Sequence, residues 1–126
     1  MKNLYASIIL FCILNIFIFI SINYLNKTCV KLSNINDNIK ISINDNSWDK
    51  TEHLTENFSR EWLIHTKILS IFVDHKEMDE INKEFYKLME YVKNKSSDEA
   101  AASSNVIGFF LNHIKAMEKI NIQNIF

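Results

Sequence analysis

The sequence predicts an all-α protein: an N-terminal transmembrane helix that continues into an up-down antiparallel helical bundle of three to four helices. Three observations carry this. The chain has no proline, one glycine and 48% hydrophobic residues, so it lacks the usual residues of tight turns and hairpins. From Leu4 to Leu25 it runs 22 residues without a charge. Beyond that run, apolar residues recur at alternating steps of three and four, the period of one helical face.

The first element is the charge-free run. At about 1.5 Å of rise per residue it makes roughly 33 Å of helix, enough to cross a hydrocarbon core of about 30 Å. Fourteen of its residues are Ile, Leu or Phe, which outweigh Asn15, Asn23 and the serines. A cleaved secretory signal would have a shorter apolar core and small residues before the cut. Here the best cleavage candidate, Ser21-Ile22-Asn23, is poor, and Lys2 is the only side-chain charge before the run. The reading is an uncleaved anchor over residues 1–27 and a helical bundle over residues 28–126. Lysines flank the span on both sides, with Lys27, Lys31 and Lys40 after it, so the positive-inside count is nearly balanced. The short N-terminal tail places the N-terminus in the cytoplasm and the bulk of the chain outside the cell membrane, as a single-pass protein.

Leu32, Ile35, Ile39 and Ile43 carry the first helix onward as an amphipathic stalk, until Asn44-Asp45-Asn46-Ser47 offers a turn and helix-capping cluster. The second helix opens at Trp48, with a heptad seam of Trp48, Thr51, Thr55, Phe58, Trp62, His65, Leu69 and Phe72. Val73-Asp74-His75 reads as the next corner, and Asp74 with Glu77 fits a capping box in which Asp replaces Ser or Thr. Met78, Ile81, Phe85, Leu88 and Val92 form the third seam. After the polar break from Lys93 to Ser97, a last helix runs through Ala100, Ser103, Ile107, Phe110, Ile114 and Met117, and residues 120–126 form a short apolar tail expected to dock. Short breaks between helices favour antiparallel neighbours over one long coiled coil. About 100 residues enclose one modest core.

The 14 basic and 15 acidic residues are well mixed and sum to −1, and Arg60 is the single arginine. That balance argues against a nucleic-acid binder, whose basic residues gather on one face. One glycine excludes glycine-rich phosphate loops. The wealth of Ile, Asn and Lys is what AT-rich coding produces, which discounts arguments built on asparagine alone. Cys12 and Cys29 lie 17 residues apart on one helix, too far to bridge each other. Cys29 is read as a thiol that is buried or unpaired, with a bridge between two copies as the other possibility.

The stretch WLIHTKILSIFVDHKEMDEI from Trp62 to Ile81, together with Trp48, Asp74-His75, Asp79 and the closing Asn124-Ile125-Phe126, resembles the bacterial "domain of unknown function 4363" family, found mainly in Firmicutes. The resemblance covers nearly the whole chain in length and layout. It implies a small membrane-anchored helical protein with no assigned activity, encoded often beside a multi-pass membrane protein. It supplies no catalytic residues to carry over.

Three constellations merit weighing. Glu61 and His65, one turn apart, could face a metal ion, with Asp74-His75, Glu77 and His113 completing a carboxylate–histidine cluster between helices. Against this, His65 sits on a seam, Asp74 is explained as a cap, and no repeated Glu-x-x-His motif of the di-iron kind is present. Trp48 and Trp62 could floor an apolar ligand pocket or simply fill the core. Cys12, Asn15, Phe19, Asn23 and Asn26 share one face of the span. There the Asn15 amide either meets another helix or bonds its own backbone. No acid, base and nucleophile converge, so no enzyme, catalytic residue, metal site or cofactor is expected.

The functional expectation is a non-enzymatic, single-pass membrane protein, an accessory or scaffolding subunit of a larger, multi-pass membrane partner. Its contact residues would be Asn15 in the lipid bilayer and the Asp74, His75 and Glu77 corner outside it. Homo-oligomers remain open. The alternative is a small-ligand or metal-binding helical sensor domain tethered to the membrane.

Overall fold

The computed structural model describes the backbone of residues 1–125 and the side chains of residues 1–117. The described residues form four helices: α1 (Lys2–Asn44), α2 (Trp48–Phe72), α3 (His75–Lys93) and α4 (Ser97–Ile125). Each packs against its two neighbours in cyclic order, α1 against α2 and α4, and α3 against α2 and α4. The result is an up-down four-helix bundle closed by the α1–α4 contact.

With no proline or glycine between Lys2 and Asn44, nothing interrupts α1, and span and stalk form one 43-residue rod. Its upper half supplies Leu25, Cys29, Leu32, Ile35, Ile39 and Ile43 to the core. Its lower half protrudes, and Leu4, Ile8, Ile9, Leu10, Phe11, Ile13, Leu14, Ile16, Phe17 and Ile20 are all at least half exposed. We call the end of the bundle from which α1 protrudes the near end, and the opposite one the far end.

Phe58 fills the centre of the bundle, stacked between Trp62 (ring centroids 6.4 Å apart) and Phe85 (5.0 Å). Ile39, Ile81, Leu88, Ile107 and Leu111 close around this layer, all fully buried. Such aromatic and aliphatic burial is what holds helices of modest intrinsic stability in place.

The two far-end turns share one design. Asn46 N–H bonds the Ile43 carbonyl (3.1 Å) and Ser47 N–H the Ser42 carbonyl (3.0 Å). In the second turn Lys95 N–H bonds Val92 (3.1 Å) and Ser96 N–H bonds Tyr91 (2.8 Å). Asn46 and Lys95 both adopt φ 54°, the left-handed residue that ends a helix in such a motif. The near-end corner differs. Val73 is extended, and the Asp74 carboxylate accepts from Lys76 N–H at 3.1 Å, the cap the sequence predicts.

Two expectations for α4 need correction. Phe110 is only partly buried and Met117 is 45% exposed, while Ser104 and Leu111 are fully buried. A helix wedged between two neighbours buries a wider arc than a two-faced seam. Nor does a separate tail follow Met117, for α4 continues to Ile125 because neither glycine nor proline stops it. The expected docking of that tail falls on side chains outside the described residues.

Candidate functional site

Polar side chains join the helices at several heights. Near the far end, the Ser42 and Thr51 hydroxyls bond each other at 2.7 Å, and Thr51 also donates to the Ser47 carbonyl at 2.9 Å. At mid-height the Asn36 amide donates to the Ser104 carbonyl and accepts from the Ser104 hydroxyl, both at 2.9 Å. Trp62 Nε1–H donates to Asn82 Oδ1 at 2.7 Å, tying α2 to α3.

The richest cluster sits towards the near end, where four side chains from α1 and α2 form a chain of bonds. Lys31 Nζ meets Glu61 Oε2 at 2.8 Å, and the same oxygen lies 3.4 Å from His65 Nε2. The Tyr24 hydroxyl bonds the other ring nitrogen, Nδ1. A carboxylate only accepts, so the neutral imidazole carries its proton on Nε2 toward Glu61, and Tyr24 then donates to Nδ1. The Lys31 hydrogen bond is the main reason the Glu61 carboxyl is held below its usual range. The nearby charges of Lys31 and His65 add to that, against partial burial.

A second histidine–carboxylate pair, His113 Nδ1 with Glu77 Oε1, joins α4 to α3, and Phe109 stacks on the His113 ring at 6.1 Å. Glu61 and His65 thus meet as their spacing suggests, and so do Glu77 and His113. The two pairs stay apart, however, and no group of three or more His, Cys, Asp or Glu side chains converges among the described residues. Glu77 spends its carboxylate on His113, while Asp74 caps α3 and His75 is exposed at the corner.

Asn15 is half-buried and donates from Nδ2 to the Phe11 carbonyl at 2.7 Å, so within one chain its amide is answered by its own helix. Trp62 is a core residue, 4% exposed. Trp48 lies at the far end, where it lines an open cleft of about 440 Å³ with Asn46, Ser47, Asp49, Lys50 and Lys95. Cys29 is buried in the core at 1% exposure, out of reach of a second copy.

Sequence reasoning missed Tyr24, Lys31 and Asn82. Tyr24 stands one residue before Leu25, inside the charge-free run, and only the register between α1 and α2 reveals its partner.

Compared with known proteins, the chain matches the family described as "Domain of unknown function (DUF4363)" over residues 19–125. No curated protein and no solved structure matches it.

Proposed function

The chain belongs to the DUF4363 family, and from that premise we propose that it is a non-enzymatic, single-pass membrane protein that serves a larger membrane protein as an accessory or scaffolding subunit. One observation carries the reading. The lower half of α1 contains an 18-residue window of mean hydropathy 2.5, none of it buried, and the same unbroken helix forms one wall of the bundle core. A face so apolar and so exposed needs a non-aqueous surrounding. The bilayer supplies one, and the bundle is then held against it outside the cytoplasm.

Partner contact is assigned to Asn15 within the bilayer and to the exposed part of the Asp74, His75 and Glu77 corner at the near end. A mid-span amide exchanges its own-helix bond for one to a neighbouring helix at a gain of about 0.6–2 kcal/mol. The test is to tag the carboxyl terminus, extract native membranes in mild detergent, and identify what co-purifies in stoichiometric amount. A multi-pass protein is expected, with recovery reduced by Asn15→Leu while the bundle keeps its helicity. Recovery of the tagged chain alone would refute the accessory role.

A further inference from the structure

The outward face of α2 changes character along its length. Residues Lys50, His53, Asn57, Arg60, Ile64, Ile68 and Ile71 follow one another at steps of three and four, so they form a single stripe turned away from the core. Its far-end half is polar. Its near-end half is apolar and open, with Ile64 60%, Ile68 43% and Ile71 74% exposed, and Leu63 beside it 67% exposed.

The register between helices fixes the height of that change. Lys31 meets Glu61 and Tyr24 meets His65, so Lys27 lies about level with Leu63. Lys27 is the first charge after the apolar run of α1, and Leu63 is the first apolar residue of the outward patch on α2. From there α2 descends to Ile71, roughly six residues and about 9 Å below His65, beside α1 where Phe17 and Ile20 are exposed. Two antiparallel helices therefore pass from polar to apolar at the same height. A protein partner would have no reason to respect a common level on both helices, whereas a planar boundary between water and lipid imposes one. Lys27 and Lys67 are exposed around this level, where long side chains lay their stems on apolar surface and lift their charges to headgroups.

We propose that the near-end outward face of α2, Leu63, Ile64, Ile68 and Ile71, is a lipid-contacting surface that beds in the interface of the bilayer crossed by α1. The proposal rests on the anchor reading above. It makes the chain a two-point membrane attachment: α1 spans, and α2 lies against the headgroup and upper acyl region. Lys27 and Lys67 give this surface a preference for anionic headgroups.

The test uses the full chain carrying Cys12→Ser, with the buried Cys29 retained, reconstituted in vesicles of phosphatidylcholine with a minority of phosphatidylglycerol. A polarity-sensitive fluorophore is attached singly to Leu10→Cys, His53→Cys, Ile64→Cys or Ile71→Cys, and circular dichroism confirms helicity. Labels at 64 and 71 are expected to be quenched several-fold more than the label at 53 by a lipid-borne nitroxide, and several-fold less by aqueous iodide. Quenching at 10 with only aqueous access at 64 and 71 would overturn the proposal and leave the anchor standing. Loss of lipid quenching at position 10 would overturn the anchor reading itself, and this proposal with it. Shielding of 64 and 71 from both quenchers, with self-quenching that grows with protein density, would assign the face to a second copy and also overturn the proposal.

Discussion

Gly108, the single glycine of the chain, gives the most discriminating test of how the bundle closes. A helix-interior glycine costs about 1 kcal/mol relative to alanine, so α4 carries it against its own interest. The reason lies across the α1–α4 interface, where a Cβ on Gly108 would stand 3.2 Å from Asn36 Nδ2. Asn36 is 3% exposed, and two 2.9 Å bonds to Ser104 hold its amide, so it cannot withdraw without stretching both. Gly108→Ala should therefore gain about 1 kcal/mol of helix propensity and lose more than that from two hydrogen bonds worth about 1 kcal/mol each. The expected net change is a loss of about 1 kcal/mol. Asn36→Ala alone should cost about 2 kcal/mol, because both bonds disappear. In the Asn36→Ala background the same Gly108→Ala change has nothing to strike and should stabilise by about 1 kcal/mol. The sign reversal corresponds to a coupling of about 2 kcal/mol between residues in contact. Denaturant titration of the full chain in detergent micelles, followed by fluorescence of the buried Trp62, measures all four corners of the cycle. A stabilising Gly108→Ala of equal size in both backgrounds would refute the argument.

Three further outcomes follow from the turns and the near-end cluster. Lys95→Gly should stabilise the fold by about 0.5–1 kcal/mol, since Lys95 occupies a left-handed φ of 54° that glycine adopts freely; Asn46→Gly should gain less, because asparagine tolerates that conformation. The same denaturant titration checks both. Asp74→Ala should cost about 1 kcal/mol by removing the acceptor for Lys76 N–H, and Asp74→Asn should restore most of it, which separates capping from charge. The Glu61 carboxyl, depressed chiefly by the Lys31 hydrogen bond, ionises more readily folded than unfolded. Its contribution is then complete above the unfolded value near 4.5 and vanishes as pH falls through the lower folded value. Thermal melts from neutral to acid pH should thus fall more steeply for the native chain than for Glu61→Gln. Parallel slopes would remove Glu61 from the acid response.

Much of the architecture is legible in the sequence because its signals are local. The break at Asn44-Asp45-Asn46-Ser47, the cap at Asp74 and the seams of α2 and α3 each declare themselves within a turn or two. Register between helices does not. Nothing near Tyr24 points to a histidine in α2, and nothing near Asn36 distinguishes it from the many other asparagines of the chain. Both matter only once the antiparallel pairing sets Tyr24 beside His65 and Asn36 beside Ser104. The wider buried arc of α4 is hidden for a related reason, because how much of a helix is covered depends on how many neighbours it has. The candidate site was partly visible, since helical spacing alone pairs Glu61 with His65. That Glu77 and His113 form a separate pair is a fact of assembly.

The unbroken course of α1 has a mechanical consequence. Its 43 residues make a rod of roughly 64 Å, held in the core over its upper half and bare over its lower half. No glycine or proline provides a hinge, so inclination at one end is transmitted to the other. A turn of about 10° in the lower segment swings the far-end turns sideways by roughly 10 Å. Whatever grips the bare segment therefore aims the bundle, as a hand on a handle aims the head of a tool.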